Sequence, residues 1–304
     1  MPDLDPRSTA LRPPARVGFV GLGQMGLPMA RNVGRAGYRL VLHDSSAAAL
    51  ARAREEIGAE PHETLADCAA VITMLPDGNA VRAVIGEALP RLAKGSVVID
   101  MSSSSPVGTR ELGAQLAEHG IALVDAPVSG GARKAADATL SIMVGGDPQT
   151  IARCRLLLES MGKQIFLTGP LGSGHAIKAL NNYVSAAGLA AAIEAVLAGQ
   201  RFGLEAKTIV DVLNASTGMN NSTLNKFHQF ILSRRFDAGF SLDLMVKDLR
   251  TAMEIAHATG SPVPLGEACL DAWTQARNAL GPGTDHTAVA RYWEQLAGTE
   301  LGSA

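Results

Sequence analysis

The chain has 304 residues and a mass of 31.5 kDa; 47% of its residues are hydrophobic, 18% charged and 4% aromatic. That length predicts two domains, each able to bury a core of its own. A net charge of -2 and a pI near 6.4 argue against nucleic acid as a partner, and so few aromatics offer little for single-stranded bases to stack on.

Residues 1 to 15 hold Pro, Asp and Arg but no apolar run of signal-peptide length. A loose tail is expected there, and a cytoplasmic location for the protein. From Arg16 the chain alternates. Apolar runs at 16–23, 38–44, 69–76, 95–102 and 121–129 are separated by helix-like stretches. Such strands predict a parallel sheet covered on both faces, an α/β Rossmann-type doubly wound domain over 16–173. Runs at 139–146 and 164–169 are candidates to extend it.

Beyond about residue 174 the strand signals stop. The alanine-rich stretch from His175 to Gly203 reads as one long helix whose apolar run is interrupted by Glu194. A buried core helix is expected there, with no membrane as partner. Helical patterns follow at 205–214, about 220–234, 242–259 and 264–280, so 174–304 is predicted to be all-α. The long apolar helix predicts burial against another subunit, in a homodimer or homotetramer. Cys68, Cys154 and Cys269 are odd in number and far apart, which predicts buried reduced thiols. The seven histidines show no ligand spacing, and no metal site is expected.

One motif carries cofactor chemistry. The sequence GLGQMG, Gly21, Leu22, Gly23, Gln24, Met25 and Gly26, follows an apolar strand and opens a helix. Gly21 permits a sharp turn, Gly23 admits a pyrophosphate to the backbone, and Gly26 lets helix and strand pack closely. The helix N-terminus offers free N–H groups and a positive dipole end to the phosphates. Asp44 ends the next apolar run, 18 residues beyond Gly26, where a carboxylate can bond the ribose hydroxyls. Ser45 and Ser46 follow it, with no adjacent Arg for a 2′-phosphate, although Arg16 or Arg52 can approach from elsewhere. NAD is therefore favoured, with NADP possible.

Four segments in this order resemble the β-hydroxyacid dehydrogenase family, which includes 3-hydroxyisobutyrate dehydrogenase and tartronate semialdehyde reductase (2-hydroxy-3-oxopropionate reductase). They are GLGQMGLPMARNVGRAG (21–37), DAPVSGG (125–131), GSGHAIKALNN (172–182) and MVKDL (245–249). The resemblance runs from Arg16 to about Ala290. It implies an NAD(P)-dependent oxidoreductase that interconverts a small 3-hydroxy acid and its semialdehyde.

Each segment also has a physical reading. Ser129, Gly130 and Gly131 follow a strand and can offer a hydroxyl and unshielded N–H groups to a carboxylate. Lys178 and Asn182 lie one helical turn apart and share a face, while Asn181 points about 100° away. The resemblance implies that Lys178 is the general acid/base and that Asn182 positions the reacting group. Lysine suits this role because desolvation or a nearby cation lowers its pKa toward working pH. Lys247 is one source of such a cation; the resemblance implies instead that it contacts the cofactor, with Asp248 orienting it. Leu75 and Pro76 resemble a segment that passes the cofactor, and Ser103 stands where the family usually has a Thr hydroxyl. His175 stands where the family often has Gln, and reads as a helix-start residue.

The chain also departs from the pattern. Lys134 and Ala138 occupy positions where the family commonly has Gly, and Arg133 adds a second cation. Those cations suit either a solvated loop edge or a longer polyhydroxy acid, as in the threonate dehydrogenase branch, the alternative substrate class. Outside enzymes, the alternative is a catalytically dead cofactor-binding or oligomerisation module. The presence of Lys178 argues against it.

Overall fold

The apolar runs become strands because both faces of each are covered: Val17, Phe19, Val71, Ile72, Val98 and Ile99 have no solvent exposure. The computed structural model describes residues 10–58 and 64–302 and divides the chain into two units, Met1–Lys178 and Ala179–Ala304.

In the first unit, strands β1 (Arg16–Val20), β2 (Arg39–His43), β3 (Ala70–Thr73), β4 (Val97–Asp100) and β5 (Ala122–Asp125) are parallel, in the order β2-β1-β3-β4-β5. Helices α1 (Gly26–Arg35), α2 (Ala47–Ile57), α3 (Gly78–Ala88) and α4 (Pro106–Glu118) connect them. The strand order reverses at β1, and the glycine loop leaves its carboxyl end, where open α/β sheets bind ligands.

Past β5 the parallel expectation fails. Strand β6 (Val128–Ser129), helix α5 (Gly131–Ala136), strand β7 (Leu140–Gly145), helix α6 (Pro148–Glu159) and strand β8 (Gly162–Gly169) follow. β7 runs antiparallel to both β5 and β6. The pairs Asp125↔Gly145, Val128↔Ile142 and Ser129↔Ser141 belong to one register, so β5 and β6 act as a single strand interrupted at Ala126 and Pro127. Only a hairpin-like return through α5 allows that ladder. The segment after Gly131, expected as a loop, is therefore a short helix.

The expected loose tail also ends early. Residues 1–9 lie outside the described residues, but Leu11 is buried in the first unit's core. Its N–H donates to Arg153 O at 2.9 Å and its carbonyl accepts from Tyr38 Oη at 2.9 Å.

Helix α7 (Ser173–Arg201) starts in the first unit and continues into the second, which holds α8 (Ala206–Asn214), α9 (Asn221–Asn225), α10 (Leu242–Ala258), α11 (Pro264–Leu280) and α12 (Val289–Ala297). By length and composition α7 is apolar enough to cross a membrane. Its Ala186, Leu189, Ile193 and Val196 are buried in the second unit's core with Phe227, Leu249 and Trp273. The helix expected at 220–234 is broken: α9 ends at Asn225, and a π-helical turn covers Phe227–Ile231. Lys226 sits at the break.

Candidate active site

The glycine loop meets each steric demand read from its sequence. Gly21 has φ +94°, and a Cβ there would overlap the Met74 carbonyl. A Cβ on Gly26 would overlap the carbonyl of Gly21, so this glycine is what lets α1 start against the loop. Gly23 faces open space, with no atom within 4 Å of an added Cβ. The first turn of α1 carries no acidic residue and no side-chain cap. An open cradle at an uncapped helix N-terminus fits a dinucleotide pyrophosphate, and Leu22, Gln24 and Met25 supply its intervening backbone.

Asp44 closes the loop from the side. Its Oδ2 accepts from Leu22 N at 2.7 Å and its Oδ1 from Ser46 N at 2.7 Å. Each carboxylate oxygen keeps a lone pair for a ribose hydroxyl. Asp44 and Ser45 line a cavity of about 270 Å³ with Val20, His43, Leu65 and Arg91. Arg91 was not among the arginines the sequence offered. It lies far from Asp44 in the chain, and only the fold brings it to this pocket. Leu75 N donates to Ser102 Oγ at 2.9 Å, which fixes the backbone before Pro76, and half-buried Ser103 follows.

The Ser129–Gly131 loop is equally specific in its backbone. Gly130 (φ +133°) and Gly131 (φ +68°) adopt backbone that disfavours side chains and lead from half-exposed Ser129 into α5. The stem of Lys134 folds back over Gly130, where an added Cβ would come within 2.5 Å of its Cδ. Arg133 and Lys134 are both exposed. Asn32, buried on α1, donates to the carbonyls of Ala135 at 2.7 Å and Ala136 at 3.4 Å, which latches α5 to the helix behind the glycine loop. Ala138 takes φ +53°, a left-handed position that glycine fills without strain.

The start of α7 is held by residues the sequence reading did not single out. Asp125, fully buried, accepts from Gly172 N at 2.7 Å and His175 N at 2.8 Å, capping α7 from another strand. A Cβ on Gly174 would overlap the carbonyl of Met143, so the helix abuts the sheet only because glycine is there. His175 stands at the helix start as expected but is buried at 1% exposure. Its Nδ1 lies 2.8 Å from Thr109 Oγ1, and its Nε2 lies 3.7 Å from Asp100 Oδ2. Asp100 in turn accepts from Thr73 Oγ1, Ser102 N and Ser104 Oγ.

Lys178 follows on α7, half-buried, and Asn182 one turn later is buried at 7% exposure. In the second unit Asn182 Nδ2 donates to Asp248 Oδ2 at 2.6 Å, and its Oδ1 accepts from Asn181 at 3.2 Å. Lys247 Nζ lies 3.4 Å from Asp248 Oδ1. Asp248 thus faces both Asn182 and Lys247, a contact that sequence spacing alone does not reveal. The three cysteines are free and buried, and burial pushes Cys68, Cys154 and Cys269 up to about 11, 12 and 11. None is a nucleophile at neutral pH.

Comparison with known proteins now adds to this geometry. Residues 16–169 match the family model of the NAD binding domain of 6-phosphogluconate dehydrogenase, and 172–293 match that of the NAD-binding domain of NADP-dependent 3-hydroxyisobutyrate dehydrogenase. The fold and site therefore define an NAD(P)-dependent dehydrogenase acting on the CH–OH group of hydroxy acids. The chain is 34% identical to 2-(hydroxymethyl)glutarate dehydrogenase of Eubacterium barkeri over 94% of its own length and 97% of that protein's. It is 36% identical to mouse mitochondrial 3-hydroxyisobutyrate dehydrogenase over 86% of this chain and 81% of that one. The chain belongs to the β-hydroxyacid dehydrogenase family. Among solved structures, Mycobacterium tuberculosis 3-hydroxyisobutyrate dehydrogenase with L-serine superimposes with a TM-score of 0.85 at 35% identity, covering 92% of this chain and 99% of that one.

Proposed function

We propose that this enzyme interconverts a small 3-hydroxy acid and its semialdehyde, with NAD preferred and Lys178 as general acid/base. The observation that carries the reading is on α7: Lys178 stands one turn before a buried Asn182 whose amide is fixed by Asp248. A rigid amide beside a lysine is the arrangement needed to orient a hydroxyl while its proton is exchanged.

When bound, the nicotinamide supplies the hydride acceptor, or the donor in reverse. Gly21 to Gly26 and Asp44 would hold the dinucleotide, with Ser45, Leu75, Pro76 and Ser103 along it and Lys247 as a further contact. Ser129, Gly130 and Gly131 bind the acid's carboxylate through a hydroxyl and backbone N–H groups, and Lys134 adds a charge beside Gly130. In oxidation, neutral Lys178 takes the hydroxyl proton at Nζ; in reduction its ammonium returns it. Asn182 holds the oxygen in place.

The compounds named for relatives, 2-(hydroxymethyl)glutarate, L-serine and 3-hydroxyisobutyrate, each carry a hydroxyl-bearing carbon near a carboxylate, which supports this substrate class. A cytoplasmic location is supported by the buried free thiols. A homodimer or homotetramer is supported by Ile177 and Val184, 43% and 68% exposed on α7. The domain division we propose is a dinucleotide domain at 16–173 and an all-α domain at 174–304.

The test is Lys178→Ala, assayed by reduced-nicotinamide absorbance with a panel of 3-hydroxy acids. Turnover should drop by about 10²–10⁴-fold with NAD affinity preserved. Lys178→Arg should not rescue it, because guanidinium keeps its proton at working pH. Retention of more than about a tenth of turnover in the alanine variant is incompatible with that range and removes Lys178 from the mechanism.

A further inference from the structure

Lys226 sits at the break between α9 and the π-helical turn, half-buried, with its ammonium 3.3 Å from Ser185 Oγ. Ser185 follows Asn182 by three residues and Lys178 by seven, which places it on the same face of α7. The helical rise sets Ser185 about 4–5 Å beyond Asn182 and roughly 10 Å beyond Lys178. Lys226 therefore marks the same stripe of α7, farther along from the expected proton carrier.

Its surroundings leave the charge uncompensated. Among the described residues no carboxylate lies within 4.0 Å of Lys226 Nζ. Asp285 is the acid that acts on it, at longer range, and its oxygens are already engaged. Oδ2 accepts from Gly239 N at 2.8 Å and Phe240 N at 3.3 Å, and Oδ1 from Thr287 N at 2.9 Å and Thr287 Oγ1 at 2.5 Å. The other titratable neighbour is His286, buried and held neutral near pH 7. Burial pushes Lys226 down to about 8, against the opposing pull of Asp285. A half-buried ammonium with no carboxylate in contact is free to donate a charge-assisted hydrogen bond to an incoming anion.

We propose that Lys226, with the Ser185 hydroxyl, binds a second carboxylate of the substrate, several atoms from the reacting carbinol, so that the enzyme selects dicarboxylic 3-hydroxy acids over monocarboxylic ones. This rests on the placement of the acid/base at Lys178.

The experiment compares the full-length protein and its Lys226→Met and Lys226→Arg variants on 3-hydroxypropanoate and 2-(hydroxymethyl)succinate. Wild type should favour the diacid in kcat/KM by at least about tenfold, the factor one hydrogen bond to a charged group contributes. Lys226→Met should lower that ratio by a similar factor, mainly through KM for the diacid, and Lys226→Arg should retain most of it. A parallel fall on both acids, with the ratio intact, assigns Lys226 a structural role and overturns the proposal; so does wild type without a diacid preference. Calorimetric titration of the NAD-saturated protein with unreactive 2-methylsuccinate separates this result from the fate of the catalytic reading. Binding by wild type that is lost in Lys226→Met supports the anion site even where neither substrate turns over. Absence of binding to wild type refutes it.

Discussion

Asp125→Ala should be among the most damaging single changes in the first unit. The carboxylate has no solvent exposure and is the acceptor for Gly172 N at 2.7 Å and His175 N at 2.8 Å. Each buried N–H left without a partner costs about 1–3 kcal/mol, and the carboxylate at the α7 N-terminus contributes up to about 2 kcal/mol more, so a loss of about 4 kcal/mol is expected. Asp125→Asn keeps one acceptor oxygen and turns an amide NH₂ toward the other donor, for about half that loss. Urea unfolding reads the effect, provided two signals are followed. Both tryptophans, Trp273 and Trp293, lie in the second unit, so their fluorescence reports that unit while far-UV circular dichroism reports both. With a slope of about 2 kcal/mol/M, the dichroism midpoint should fall by roughly 2 M for Ala and 1 M for Asn. An alanine variant within about 0.5 kcal/mol of wild type, well under the cost of even one abandoned donor, would refute the claim that Asp125 caps α7.

Three further outcomes follow from other parts of the structure. Asp44→Ser with Ser45→Arg should shift kcat/KM from NAD toward NADP, by removing a repulsion and adding a guanidinium beside the 2′-position; a tenfold native preference for NADP contradicts the reading of Asp44. Ala138→Gly should raise stability by roughly 0.5–2 kcal/mol, because φ +53° strains alanine and not glycine; a lower thermal midpoint counts against it. Burial, reinforced by Lys226 and opposed by Asp285 and the Phe240 carbonyl, pushes His286 down to about 4 from an ordinary 6.5. Its folded value lies below its unfolded one, so its stabilisation is intact above pH 6.5 and lost as pH falls toward 4, on the order of 3 kcal/mol. Thermal midpoints should drop across that window, and a His286→Gln variant with the same slope would exclude His286 as the cause.

The sequence made visible whatever depends on local periodicity. Runs such as AVIT and VVID announce strands because both faces must be apolar, and the glycine fingerprint shows because backbone approach at Gly21 and Gly26 tolerates no Cβ. The antiparallel β7 stayed hidden because strand direction is set by pairing partners, and LSIMVG suits either direction. Leu11 escaped notice because one apolar residue among prolines and charges has no period, yet it finds a core to enter. Asp100, Asp125 and Lys226, and the burial of His175 against Thr109, were illegible for a shared reason: their partners lie on other elements, 27 to 66 residues away for the contacts that define them. Helix α12 was missed although its VARYWEQLA places Val289, Ala290 and Trp293 on one buried face, a period of 3 to 4 that nine residues express only briefly.

The Asn32 latch has a thermodynamic consequence. The helix that opens at the glycine loop and the helix that follows Ser129–Gly131 are joined by bonds from the Asn32 amide to the carbonyls of Ala135 and Ala136, so the two loops ride on one piece of framework. On the proposed function, ordering that a dinucleotide imposes on α1 is ordering that an acid at Ser129–Gly131 would no longer have to supply at α5. Binding free energies coupled in this way are reciprocal: the factor by which cofactor tightens the acid equals the factor by which the acid tightens the cofactor.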